Sequence, residues 1–244
     1  MARIRSRSWG IEIVACAARS MSLPIAGRNT VYGVALNYKS TLLSLGCSLS
    51  AKPYWAPPSA PVLYIKPPNT WIGPGDPIPL PTDVAAVQAG VTLAAVIGRD
   101  MCRVRPESAL MHVEGFTVVN DVTVPHSDYF RPAIQNRCRD GFCPIAAQLI
   151  DPEQITALDA LEMRVRVNGE LVCVQSTCGL VRPVANLLAD VSALFTLAAG
   201  DIVLIGSAPG APLVRAGDRV AVEIEEFARL ENPVIAEPAA RLSP

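Results

Sequence analysis

Apolar side chains recur along the chain in short runs rich in β-branched residues, each closed off by glycine, proline or an Asx residue. Residues 62–65, 91–97, 115–122, 163–167, 202–205 and 220–224 are therefore predicted to be strands, with most of the sheet in the second half of the chain. Two segments shift to helical spacing. Pro106 opens a short helix through His112, and Pro183 starts a longer one with Val184, Leu187, Leu188, Val191, Leu194 and Phe195 on one face. Asn168-Gly169 lies between two runs of β-formers and predicts a hairpin turn, because both residues tolerate positive φ. Gly200-Asp201 and Gly217-Asp218 mark further turns. Prolines crowd the stretch from Pro53 to Pro81, which excludes an α-helix there and leaves loops and short edge strands. Few short helices among many strands predict an α+β, β-rich fold.

Composition narrows the picture. Half of the 244 residues are hydrophobic, 18% are charged and the mean hydropathy is +0.32, so the chain can bury a sizeable core. Lys plus Arg number 21 against 22 Asp plus Glu, a net charge of -1, which provides no cationic field for nucleic acid. The apolar runs fall far short of the ~20 residues that cross a bilayer, so no membrane partner is expected. Seven cysteines, an odd number, fit a reducing compartment, and a cytoplasmic location is expected. The pairs Cys138/Cys143 and Cys173/Cys178 share a C-x4-C spacing, but the setting of Cys143 before a proline in an apolar run favours a small buried hydrophobe over zinc. Residues 1–28 are expected to be an extension, disordered or preceding a true start at Met21. Residues 29–238 then form one domain and 239–244 a tail.

Phosphate-binding glycine patterns and a nucleophile elbow are missing from the sequence. Arg131, Arg137 and Arg139 fall within nine residues, followed at once by apolar sequence. Guanidinium groups so placed either grip carboxylates through paired N–H donors or decorate a solvated loop. Asn120-Asp121 closes an apolar strand, where the carboxylate binds a metal, caps a helix or has no role.

The ordered series Gly33-Val34-Ala35-Leu36-Asn37-Tyr38, Tyr64-Ile65-Lys66-Pro67-Pro68, Ile72-Gly73-Pro74-Gly75-Asp76-Pro77-Ile78, Leu93 to Gly98, Val119-Asn120-Asp121-Val122-Thr123, Asp140-Gly141-Phe142-Cys143-Pro144 and Val167-Asn168-Gly169-Glu170 resembles the fumarylacetoacetate hydrolase family. The likeness runs over essentially the whole presumed domain. It is strongest to the branch of isomerase/decarboxylases of 4-hydroxyphenylacetate (homoprotocatechuate) breakdown, and there to the N-terminal half or subunit. Tyr129-Phe130-Arg131-Pro132-Ala133-Ile134, Cys138-Arg139-Asp140-Gly141-Phe142-Cys143-Pro144-Ile145 and Leu230-Glu231-Asn232-Pro233-Val234 carry that finer likeness.

The resemblance implies a mixed β-sandwich or roll, a homodimer or a heteromer with a C-terminal-type paralogous subunit, and bound Mg²⁺ or Mn²⁺. It also implies isomerase or decarboxylase chemistry, through an enolate, on a small polycarboxylate such as 5-oxopent-3-ene-1,2,5-tricarboxylate or 2-hydroxyhepta-2,4-diene-1,7-dioate. Family members carry Glu-x-Glu ahead of the apolar strand, where this chain has Gly90-Val91-Thr92. Asp121 alone remains of the metal ligands, and one carboxylate with a threonine hydroxyl holds Mg²⁺ poorly. Arg137 takes the place of a lysine, and Thr41 that of a histidine some members carry. Transferred to these positions, Lys66 and Arg137 stabilise charge, Asp121 is a residual ligand or base, and Arg131 and Arg139 clamp carboxylates. Tyr38, His126, Gln135 and Thr177 line the pocket. Two other readings share the fold. One is a metal-dependent acylpyruvate-type hydrolase or oxaloacetate-type decarboxylase, which the lost glutamates disfavour. The other is a catalytically silent partner of a metal-bearing paralogue.

Overall fold

The computed structural model describes residues 19–20, 29–225 and 227–238. Two five-stranded sheets organise them. The first runs, edge to edge, Val62–Lys66, Val31–Ala35, Ile202–Leu204, Val91–Ile97 and Val113–Asn120, antiparallel except for the pairing of Val31–Ala35 with Ile202–Leu204. The second runs Glu170–Ser176, Glu162–Val167, Arg219–Ile224, Ala228–Ala236 and Ile78–Leu80, with only the last pair parallel. This is the β-rich α+β architecture expected from the sequence.

Every residue of Val91–Ile97 is buried. Its period-two alternation divides it between two cores: Val91, Leu93, Ala95 and Ile97 enter a large one, while Ala94 and Val96 enter a smaller one with Cys143, Ile145, Leu149 and Leu204. The large core also receives Met163, Val165, Val220 and Val222 from the second sheet, and Val184, Leu187, Leu188 and Val191 from the helix Val184–Leu194. That helix and the turn of helix at Pro106–Ala109 stand where the proline and apolar spacing placed them.

Strand is spread over both halves of the chain rather than concentrated in the second. Val31–Ala35 in the first half and Ala228–Ala236 near the end were not predicted as strands. A helix at Lys39–Leu45 was also not predicted. The proline-rich stretch forms the edge strand Val62–Lys66, the short strands Trp71–Ile72 and Ile78–Leu80 and one 3-10 turn at Pro68–Thr70, with no α-helix. Arg19–Ser20, inside the expected extension, pairs with Gln148–Leu149. The remainder of that expectation, and the tail at 239–244, lie outside the described residues. Among the described residues no helix is long and apolar enough to cross a membrane.

Candidate active site

Three strand ends of the first sheet converge on one carboxylate. Lys66 ends its edge strand, Gly90 precedes Val91–Ile97, and Asp121 follows Val113–Asn120. A short helix at Ile134–Arg137 brings Arg137 to the same point from the loop side. Asp121 is 3% exposed; its Oδ1 lies 2.9 Å from Lys66 Nζ and its Oδ2 accepts from Arg137 NH1 at 2.7 Å and from the Tyr64 hydroxyl. Two cations face one anion, so the cluster is net positive and suits an anionic ligand.

Lys66 and Arg137 have different environments. Lys66 is fully buried, and its ammonium donates to the carbonyls of Val122 (2.7 Å), Phe142 (2.8 Å) and Arg137 (3.0 Å). Those three bonds use its three N–H groups, so Asp121 Oδ1 receives its charge at close range but no directed hydrogen bond. Lys66 therefore positions Asp121 and the segment around Phe142 and does not reach a ligand. Arg137 is 12% exposed, and its guanidinium stacks 4.3 Å above the Tyr64 ring. Only its bond to Asp121 is made by the side chain among the described residues, which leaves further N–H groups for an incoming anion.

Burial alone would push the Asp121 carboxyl up; Lys66, Arg137 and the Tyr64 hydroxyl outweigh it and hold the group at about 2. Burial and the Asp121 charge push the Tyr64 phenol well up. Room for the Tyr64 ring comes from Gly33, its register partner, where a Cβ would stand 2.1 Å from the ring.

Two adjoining cavities open on Arg137. A polar one of about 170 Å³ is lined by Thr41, Tyr64, Gly90, Asp121, His126 and Ser207, among others. A more apolar one of about 360 Å³ is lined by Val62, Leu63, Ile65, Phe130, Arg131 and Ile134, among others. Tyr64, His126, Tyr129 and Arg137 belong to both walls. Arg131 is exposed at the rim of the larger cavity and has no ion pair among the described residues.

Several residues singled out in the sequence stand elsewhere. Arg139 forms a bidentate pair with Asp83 at 2.6 and 2.9 Å and bonds the Gln135 carbonyl, so it clamps a surface carboxylate of its own chain and lines neither cavity. Gln135 likewise lines neither cavity. Tyr38 is buried against Gly179, and Thr177 bonds Leu158 and Leu161, both away from the cavities. Tyr64, Ser207 and Gln88 are cavity residues that sequence reasoning missed. For Tyr64 the available signal was its place in the motif Tyr64-Ile65-Lys66-Pro67-Pro68.

The donor set does not fit a divalent cation. A Cβ on Gly90 would lie 2.9 Å from the Asp121 carbonyl, and the Thr92 hydroxyl is spent on the Gly206 carbonyl at 2.9 Å. The Asp121 carboxylate is already paired with Lys66 and Arg137, and no group of three or more His, Cys, Asp or Glu suited to a metal exists among the described residues.

The sequence profile described as fumarylacetoacetate (FAA) hydrolase C-terminal matches residues 30–235. The chain belongs to the fumarylacetoacetate hydrolase family. Within it, the chain is 39% identical over 210 residues to an Escherichia coli 4-hydroxyphenylacetate degradation bifunctional isomerase/decarboxylase, a match covering 86% of this chain and 48% of the relative. It thus spans about half the length of that relative. Among solved structures, 5-carboxymethyl-2-hydroxymuconate delta-isomerase of Mycobacterium smegmatis superposes with a TM-score of 0.72 at 29% identity, covering 85% of this chain and 77% of that one. Fumarylpyruvate hydrolase of Pseudomonas aeruginosa, solved with Mn²⁺ and pyruvate, shares the fold with a TM-score of 0.73 at 22% identity over 91% and 97% of the two chains. A protein of this fold therefore holds a divalent metal.

Proposed function

We propose that this chain is an enzyme that isomerises or decarboxylates a small 2-oxo or 2-hydroxy-dienoic polycarboxylate through an enolate, in the breakdown of an aromatic acid such as 4-hydroxyphenylacetate. The observation that carries the reading is the placement of Arg137, which stands between the two cavities, stacked on Tyr64 and anchored by Asp121. An enolate oxygen at the polar cavity meets a guanidinium that is already oriented, so its stabilisation costs little reorganisation. Arg131 at the rim of the larger cavity takes a carboxylate of the substrate arm. In decarboxylation, the bond to the departing carboxylate breaks and its electron pair enters the dienolate that Arg137 faces. In isomerisation, the same dienolate forms by proton removal and is reprotonated elsewhere on the chain.

Names of the relatives support the substrate class; association with a second, related subunit or with another copy of this chain is part of the proposal. The test is incubation of the purified chain with 2-hydroxyhepta-2,4-diene-1,7-dioate and with 5-oxopent-3-ene-1,2,5-tricarboxylate, following loss of diene absorbance and release of carbon dioxide. Turnover of either without added metal supports the reading. Turnover that appears only after mixing with a metal-bearing paralogue assigns the chain a silent, completing role and refutes it.

A further inference from the structure

We propose that His126 is the proton-transferring residue of this site, an inference that rests on reading the site as an enol-processing pocket. The ring lines both cavities beside Arg137. Its Nδ1 is 3.0 Å from the Val124 carbonyl and 3.4 Å from the Thr123 hydroxyl. A carbonyl oxygen only accepts, so Nδ1 carries the hydrogen and Nε2 keeps its lone pair. Nε2 is buried and without a partner. It is shut off from bulk water, and the Tyr129 ring packs beside the imidazole at 5.7 Å between centroids.

Three other titratable groups on the polar cavity are poor bases. Asp121 is committed to Tyr64, Arg137 and Lys66, and Tyr64 donates its proton to Asp121. Arg137 is a cation. The charged groups facing His126 are Arg137, Asp121 and Asp128; burial first, helped by Arg137, outweighs the hydrogen bond to the Val124 carbonyl and the two carboxylates and holds the imidazole below its usual range. It is thus neutral, and able to accept a proton, at neutral pH.

The step balances without a co-reactant. The enol O–H bond breaks and an Nε2–H bond forms, leaving an enolate facing Arg137. The oxygen electron pair then closes the carbonyl, the C=C pair moves along the chain, the Nε2–H bond breaks, and a C–H bond forms at the far carbon. Substrate and product differ only in the position of that proton and the double bonds.

His126→Asn retains a donor for the Val124 carbonyl and removes the base. With the dienoate, the variant is expected to lose at least ~100-fold in kcat with KM within about threefold of wild type. Wild-type kcat/KM should fall on the acid side with a pKa below the usual histidine range, and the variant should lack that limb. A kcat within about threefold of wild type, or an unchanged acid limb, overturns the proposal. A second measurement does not need turnover. The chain has two histidines, so ¹⁵N NMR of wild type and His112→Asn assigns each ring. An Nδ1–H tautomer at His126, with its signal moving on saturation by oxalate, supports the proposal; an Nε2–H tautomer or an unmoved signal overturns it. If the wild-type chain turns over neither dienoate nor tricarboxylate, the function proposed above fails, and the NMR result decides the role of His126 separately.

Discussion

Replacing Asp121 by Asn tests the electrostatic centre of the site. The substitution keeps the shape and removes the charge that faces Lys66, which is fully buried, and Arg137, which is 12% exposed. Removing one partner of a buried pair leaves an uncompensated cation, at a cost of about 3–5 kcal/mol. The depressed carboxyl gives an independent figure. A fall from 3.8 to about 2 corresponds to roughly 2 kcal/mol of folded-state preference for the ionised form. The two figures agree in order of magnitude. Because the folded pKa lies below the unfolded one, the unfolded chain takes up the proton first as pH drops. The stabilisation is complete above about pH 4 and is lost between about pH 4 and pH 2. Urea unfolding of wild type and variant at pH 7, 5, 3 and 2 reads this directly. The variant should be less stable by about 3 kcal/mol at pH 7 and 5 with an unchanged m-value, and the gap should narrow at pH 3 and 2. Equal stability at pH 7, or a gap independent of pH, would show that Asp121 is not the counter-charge of this cluster.

Two further substitutions separate the arginines and the strand packing. Arg131→Ala should raise KM for a polycarboxylate about tenfold in steady-state assays, while Arg139→Ala, whose partner is a surface carboxylate, should leave kcat and KM within about twofold. Gly33→Ala sets a methyl 2.1 Å from the Tyr64 ring; the displaced ring should cost about 1–3 kcal/mol in thermal unfolding and lower kcat by loosening Arg137, and an unchanged melting temperature refutes the packing argument.

Strands made of β-branched residues were readable from the sequence because burial on the sheet selects those side chains, as at Val91–Ile97. Ala228–Ala236 was not. It contains Pro233, which reads as a break, yet Pro233 ends the pairing with Arg219–Ile224 just where Val234 takes up Ile78–Leu80, so little is asked of the missing N–H. Lys39–Leu45 was hidden for the opposite reason. Only Thr41 is buried in it and Leu43 is 80% exposed, so its leucines give no amphipathic face. The convergence of Lys66, Asp121 and Arg137 was legible only through the ordered family motifs. Whether an ammonium meets a ligand or three main-chain carbonyls depends on how loops close around it, which no local pattern encodes. The same holds for Arg137 and Arg139: two residues apart at the end of one short helix turn, they diverge to a buried and a surface carboxylate.

The strand that divides its side chains between two interiors also begins at the floor of the polar cavity. Neither of its faces has slack, so a change of volume on either is transmitted along a rigid rod to Gly90 and Thr92. Substrate preference in this scaffold is therefore freer to drift through the loop bearing Arg131 and Ile134, where new side chains meet solvent, than through the sheet, where each gain in fit would be set against tolerance to heat.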